Sequence, residues 1–270
     1  GGLNDLKNSY LTSYNYDNLL LDPLRMLRCF RFFALLNFHI DEKLIQFIIR
    51  NKNYLQNVSC ERINYEIRQI IRGNYALETV VLINSLRLFD WIQTYEKNTN
   101  QKKLKSTYSE YLNYQEVDQF LPTFYLSEVI DEFAVEKLKF SKKEITDNKN
   151  LMKWKNKLIG NSIEKLNEIE RFELHRDLEH ILPAFIVALP SDLQKNWLNR
   201  WRNPKDKLFH PRNIVNGETL KNCTKIEDGP LLGALLNYLS KEFAYERIEN
   251  VDEAIFKAKQ WIQQNAPKCD

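Results

Sequence analysis

At 270 residues, with 43% apolar side chains but only seven glycines and eight prolines, the chain can bury a core and favours long helices over strand-and-turn architecture. A formal net charge of +3 permits an RNA partner without demanding one, and no apolar run approaches the ~18–20 residues of a membrane-spanning helix. Cys29, Cys60, Cys223 and Cys269 show no CxxC spacing, and His175 and His180, five apart, share no helical face; a disulfide framework and a zinc site are both unsignalled, and a cytoplasmic protein with reduced thiols is expected.

The Tyr- and Asn-rich residues 10–18 read as an irregular linker. A helix is predicted over 23–37, with Asp22 as N-cap and Pro23 at the first helical position, where its missing N–H costs nothing. Leu24, Leu27, Phe30, Ala34 and Phe38 give it an apolar face, and Asn37 marks its end. A second helix is expected over 41–51, burying Leu44, Ile45, Ile48 and Ile49. A third runs from a Ser59 cap through Arg72 and stops at Gly73, with Glu61 and Arg62 in its first turn and Ile63, Ile67, Ile70 and Ile71 facing inward. A fourth is expected over 76–89, and the basic stretch 97–105 reads as a surface loop.

From 108 to about 201 the pattern is again helical, with Pro122, Pro183 and Pro190 breaking or starting helices. Residues 137–157 interleave lysines with Phe140 and Trp154; an ordinary solvated face outweighs an RNA surface there. Trp197, Arg200, Trp201, Arg202, Lys205 and Lys207 form a denser basic–aromatic cluster and a candidate RNA contact. In the tail, Asn216-Gly217 signals a turn, 219–222 a short helical turn, and Gly229-Pro230 the start of a helix through Leu239. Leu231, Leu235 and Leu239 would pack it as a hairpin against 251–264. Its free N–H groups at Gly229 could hold a phosphate, and Gly233 could admit another backbone closely.

Asp22, Arg25, Arg28 and Arg31 recur every three residues, so each arginine lies close to the next and drifts slowly around the helix as a cationic ridge. A carboxylate only accepts hydrogen bonds and a guanidinium only donates them, in a flat fork. Side by side at i and i+3 they make an acceptor–donor edge the size of a base edge. Cytosine presents an amino donor at N4 beside the N3 acceptor, and adenine one at N6 beside N1; guanine and uracil present the opposite order. Such an edge accepts C and A and rejects G and U, with Arg28 and Arg31 left to face the triphosphate or sugar. The same residues also fit a helix cap followed by ordinary surface pairs.

This stretch resembles the nucleotide-recognition motif of the bacterial (class II) tRNA nucleotidyltransferase/poly(A) polymerase family, E-D-x-x-R-x-x-R-x-x-R-F. Upstream, Gly1-Gly2-Leu3-Asn4-Asp5-Leu6 is similar to the family's GGxxDL segment. Downstream, Val58-Ser59-Cys60-Glu61-Arg62-Ile63, with Glu66 one turn on, is similar to VSxERIxxEL. Near the end, Asn216-Gly217-Glu218-Thr219-Leu220 and Gly229-Pro230-Leu231-Leu232-Gly233 are similar to the NGxDL…GPxxG tail. Leu21 stands where the family has Glu, and Thr12 where it commonly has Arg; Asp22 and the three arginines are retained.

The resemblance implies an all-α fold, an elongated multi-helix neck, body and tail with a short remnant of the catalytic head at the N-terminus. Residues 1–21 would be the exit from the head, 22–95 the neck with its nucleotide-recognition helices, 96–207 a helical body and 208–270 a tRNA-binding tail. The implied activity is addition of C and A to tRNA 3′ ends, with Asp22 and Arg25 as protein template for CTP and ATP, Arg28 and Arg31 holding the nucleotide, and Glu61 and Arg62 bracing the recognition helix. Arg200, Trp201, Arg202, Lys205, Gly229 and Gly233 would meet the acceptor stem and elbow of tRNA. The family's Mg²⁺-binding DxD pair would lie N-terminal to residue 1, so no catalytic or metal-ligating residue is expected here; Asp228 with Glu227, in a polar loop, is the nearest substitute. A poly(A) polymerase, a CC-only or A-only adding enzyme, and a non-catalytic helical RNA-binding protein remain alternatives.

Overall fold

The computed structural model describes residues 2–93, 110–158 and 163–265, and the expected loop at 97–105 lies outside them. The described residues are all-α: fifteen α-helices accompany a single pair of two-residue strands. They group into two compact units, Gly1–Lys157 with Pro183–Ser191, and Leu158–Leu182 with Asp192–Asp270. No helix among the described residues is long and apolar enough to cross a membrane.

The first unit opens with α1 (Gly2–Lys7), β1 (Tyr10–Leu11) and α2 (Asp17–Leu21), followed by α3 (Leu24–Leu36), β2 (His39–Ile40) and α4 (Glu42–Asn51). β1 pairs in parallel with β2, Tyr10 opposite His39 and Leu11 opposite Ile40. This short ladder ties the residues before α3 to those after it, and the Tyr10 hydroxyl adds a 3.1 Å bond to Asp41. The segment read as irregular linker is therefore partly ordered, because its backbone has β2 to pair with.

α3 ends as the sequence predicts, on Asn37 in the left-handed region (φ 54°). Leu24, Met26, Leu27, Phe30 and Ala34 are its buried face; Phe38 falls beyond the helix and is only half-buried. α4 is capped by the Asp41 side chain, and buries Leu44 and Ile48 fully, with Ile45 and Ile49 half-buried.

α5 (Cys60–Ile71) packs along α3 through Ile63, Ile67, Ile70 and Ile71, each such side chain contributing about 1.5–3 kcal/mol on burial. Ser59 holds the cap position without a side-chain bond, a departure from the expected cap. Gly73 has a different reason from the one expected. The helix ends on Arg72 in a right-handed conformation, and a Cβ on Gly73 would sit 2.5 Å from the Ala34 carbonyl oxygen. That carbonyl, left free near the end of α3, accepts a 2.8 Å bond from the Tyr75 N–H. Glycine thus lets the α5 exit dock onto α3.

α6 (Ala76–Ser85) stops short of the expected 89, and turns carry the buried Leu88, Phe89 and Ile92. α7 (Tyr114–Val129) runs through Pro122 without breaking, and α8 (Glu132–Lys137) and α9 (Lys142–Lys157) follow. Phe140 and Trp154 are core residues, 5% and 0% exposed, so neither ring is presented to a base.

The second unit carries α10 (Glu168–Leu178), reached through a capping box between Asn167 and Glu170. α11 (Leu182–Ile186) falls almost wholly in the first unit, and α12 (Ser191–Arg202), which belongs to the second but for Ser191, starts directly behind Pro190. α13 (Gly217–Thr224) is longer than predicted because Asn216 is a helix cap, its side chain accepting from the Thr219 N–H at 2.7 Å. α14 (Pro230–Ala244) and α15 (Val251–Asn265) form the expected hairpin around Leu232, Leu235, Leu239, Ile248, Ala254 and Ala258. Leu232, not Leu231, completes the buried stripe of α14.

Candidate nucleotide-recognition site on α3 and α5

α2 delivers the chain to Asp22, whose backbone (φ −134°, ψ 88°) interrupts helicity before Pro23 opens α3. The Asp22 carbonyl accepts from the Arg25 N–H at 3.0 Å, but its side chain caps nothing, contrary to expectation. Its carboxylate instead takes Nη2 of Arg62, on α5, at 3.2 and 3.3 Å, with Arg25 Nε 3.8 Å away on its own helix. A guanidinium is a stronger partner for a carboxylate than a neutral backbone N–H. Asp22 therefore sits between two arginines from two helices.

All three side chains face solvent: Asp22 is 29%, Arg25 50% and Arg62 53% exposed. Pairs this exposed contribute about 0–1 kcal/mol, so an incoming hydrogen-bonding edge can displace them. Arg28 is exposed, its guanidinium 5.9 Å from the Phe32 ring centroid. Arg31 turns inward over the same ring at 4.9 Å and pairs through Nη1 with Glu66 Oε1 at 3.1 Å. Of the residues expected to brace α3, Arg62 reaches it, while Glu61 pairs at 2.6 Å with Lys139, which holds its carboxyl below the usual range.

Glu66 was not singled out as a site residue by sequence reasoning. It is 3% exposed, one carboxylate oxygen is taken by Arg31, and the other is buried with no partner. Burial pushes its pKa up, against the pull of Arg31, Arg28 and Arg62, with Asp22 adding to the rise. The signal was present: Glu66 interrupts the isoleucine stripe of α5 at the spacing that faces α3.

The other candidates lie in the second unit and are largely committed to it. Arg200 pairs with Asp206 at 2.8 and 3.2 Å and covers the Phe209 ring at 4.4 Å. The Trp201 indole donates to the Glu179 carbonyl at 2.8 Å, and Trp197 packs on His175 and Phe209. Burial holds the His175 pKa down at about 3, so this ring is neutral and packs as an aromatic. Arg202 and Lys205 are exposed. Gly229 and Gly233 are also exposed, but a Cβ on Gly233 would meet nothing within 4 Å, so the close backbone approach expected there is absent among the described residues.

The Asp22 carboxylate is taken up by Arg62 and Arg25. The described residues contain no group of three or more His, Cys, Asp or Glu side chains placed to hold a metal, and Asp228 is paired with Lys221 at 3.0 Å. What the α3 and α5 side chains offer a ligand is hydrogen bonding and charge.

Known proteins resemble this chain in sequence and fold. A family model described as "Probable RNA and SrmB-binding site of polymerase A" matches residues 37–94, which include α4, α5 and α6. The CCA-adding enzyme of Pediococcus pentosaceus is 24% identical over 279 residues, spanning 98% of this chain and 67% of that protein. The CCA-adding enzyme of Bacillus cytotoxicus is 23% identical over 258 residues, spanning 90% and 61%. The chain thus spans about two thirds or less of the length of these curated relatives. Among solved structures, the Bacillus stearothermophilus CCA-adding enzyme in complex with CTP superposes with a TM-score of 0.63 at 18% identity, over 98% of this chain and 69% of that one. The Thermotoga maritima CCA-adding enzyme complexed with tRNA gives 0.61 at 17%, over 97% and 66%. These superpositions establish the fold.

Proposed function

We propose that this chain, a relative of the bacterial CCA-adding enzymes along nearly its whole length, is the nucleotide-selecting and RNA-supporting part of a tRNA nucleotidyltransferase that adds C and A to tRNA 3′ ends. The observation that carries the reading is the Asp22 carboxylate held between Arg25 and Arg62 at the solvent-facing start of α3. Asp22 accepts the amino donor of cytosine or adenine, and Arg25 donates to the adjacent ring nitrogen. Arg62, which already reaches Asp22 from α5, fixes the carboxylate. A guanine or uracil edge would set carbonyl oxygen against carboxylate and N–H against guanidinium, and two such mismatches in one site are costly.

Arg28, exposed, continues the positive line towards a triphosphate, and Arg31 extends it while shared with Glu66. Residues 1–21 lead from a catalytic head, 22–95 form the neck, 96–207 the body and 208–270 a tail that meets the tRNA elbow, with Arg202, Lys205 and the open start of α14 at Gly229 as its RNA contacts. In this reading Asp22 and Glu66, paired with arginines, select and brace and do not hold the Mg²⁺ of the transfer step. Support comes from CTP and tRNA named in the solved relatives' complexes. The polymerase A description of the family model favours poly(A) addition as the second reading.

The test is Asp22→Ala in the intact protein, assayed by extension of a tRNA lacking CCA with each of the four nucleotides. The expected result is loss of discrimination between C or A and G or U, about tenfold or more, with tRNA affinity retained. The 270 residues alone should leave the tRNA unextended. Unchanged preference in Asp22→Ala would reduce Asp22 to an ion-pair partner of Arg62.

A further inference from the structure

α5 is held from both flanks. With its buried stripe of Ile63, Ile67 and Ile70 as reference, the ~100° per residue of a helix puts Arg62 and Glu66 on one flank and Glu61, Asn64 and Arg68 on the other. The first flank meets α3 through the Arg62–Asp22 and Glu66–Arg31 pairs. The second meets the turn between α8 and α9, within the same unit. Asn64, buried, donates to the Leu138 carbonyl at 2.9 Å and accepts from Arg68 Nε at 2.6 Å. Nη1 and Nη2 of Arg68 take both oxygens of Glu144, at 2.6 and 2.8 Å, and the guanidinium lies 4.8 Å from the centroid of the buried Phe140 ring. Glu144 is fixed in turn by the N–H and hydroxyl of Ser141, at 2.9 and 2.6 Å. Burial works against its charge, yet the bonds from Arg68 and Ser141 hold its carboxyl below the usual range.

The two kinds of contact constrain α5 differently. Apolar packing is non-directional, so the isoleucine stripe resists separation of the helices more than a small roll of α5 about its own axis. Hydrogen bonds are directional, and a planar fork engaged at three nitrogens fixes angle as well as distance. A roll of about 10° carries a side-chain tip ~6 Å from the axis through about 1 Å. From 3.2 Å, a shift of that size takes Arg62 out of hydrogen-bonding reach of Asp22.

We propose that Arg68 is a positioning residue for nucleotide selection: its contacts with Asn64 and Glu144 set the roll of α5, and that roll presents Arg62 to the Asp22 carboxylate. Six residues on from Arg62 and on the opposite flank, Arg68 acts through the helix and touches no nucleotide. An ion pair serving stability alone needs charge and proximity, which a lysine supplies; the three-point fork is what orientation requires. The link to selection rests on the proposed function; the control of Arg62 by Arg68 does not.

The test compares Arg68→Ala and Arg68→Lys with the natural protein. In the intact protein, extension of a tRNA lacking CCA should show the preference for C or A over G or U reduced about tenfold in Arg68→Ala and about threefold in Arg68→Lys, with KM for tRNA unchanged. Arg247→Ala, which breaks an ion pair in the second unit, should leave the preference intact, so that loss of stability by itself does not produce the effect. In crystal structures of the chain, Arg68→Ala should move Arg62 Nη2 beyond hydrogen-bonding reach of Asp22. Full preference in Arg68→Lys shows that charge suffices and overturns the proposal. Arg62 still bonded to Asp22 in Arg68→Ala, or preference unchanged in that variant while Asp22→Ala loses it, overturns it as well. If Asp22→Ala keeps the preference, the selection reading fails, and the position of Arg62 then decides whether Arg68 sets α5.

Discussion

Glu66 in the first unit and Glu242 in the second are both buried, yet they differ in how fully their oxygens are paired. Glu66 on α5 and Glu242 on α14 are 3% and 5% exposed, and both face cations. Glu242 accepts from Arg247 at 3.0 Å and Lys257 at 2.7 Å, with Lys241 at 3.8 Å, so both of its oxygens are satisfied and its pKa is lowered despite burial. Glu66 has one cation on one oxygen, the other oxygen is orphaned, and its pKa is raised. Burial is equal; the number of donors decides the sign. A fully paired carboxylate knits α14 to α15 and to the turn after α14. An under-paired one leaves a buried oxygen without a donor, beside the exposed arginines on which the proposed function rests.

The largest effect expected from this contrast is on Arg31. Arg31→Ala removes the one cation paired with the buried Glu66, leaving only the weaker pull of Arg28 and Arg62, and should cost about 3–5 kcal/mol, read as a lowered midpoint in urea or thermal unfolding. Arg247→Ala leaves Glu242 still paired with Lys257 and should cost clearly less. Equal losses in the two variants would break the comparison.

A smaller difference is expected when the carboxylates themselves are neutralised. Glu242→Gln gives up two charge-assisted hydrogen bonds and should cost about 1–3 kcal/mol. Glu66→Gln removes a charge that burial already penalises and should cost under about 1 kcal/mol, or stabilise slightly. Denaturant midpoints of the two variants, compared directly, check this.

The smallest effect is a difference in pH slope. A raised folded pKa makes the Glu66 contribution fully present below the ordinary value of 4.5 and lost as pH rises through the folded value; the lowered pKa of Glu242 makes its contribution present above 4.5 and lost as pH falls. In thermal melts, Glu66→Gln should therefore gain on the natural protein as pH rises from about 4.5. The deficit of Glu242→Gln should shrink as pH falls below it. Parallel curves for the two variants would show that both carboxylates sit in equivalent surroundings.

The helices were legible because their apolar periods are long and uninterrupted. α3, α4, α5 and the α14–α15 hairpin fall within a few residues of expectation. Pro122 misled because a proline's lost hydrogen bond and steric conflict can be absorbed inside a helix packed on its neighbours. The basic–aromatic cluster around Arg200 looked outward in sequence, yet Asp206 and the Glu179 carbonyl, six and 22 residues away from the groups they engage, draw its polar atoms back into the unit.

From the sequence alone came the all-α fold, the cationic ridge on α3 and the spacing that sets Asp22 beside Arg25, because each depends on residues within one or two helical turns. The tertiary structure decided which helix supplies the second arginine at Asp22, that Arg31 turns to Glu66, and that Gly73 exists to let Ala34 approach. Those outcomes hang on contacts between residues some 35 to 40 positions apart. Local periodicity states which side of a helix is apolar; only packing states which charge on the neighbouring helix arrives opposite it.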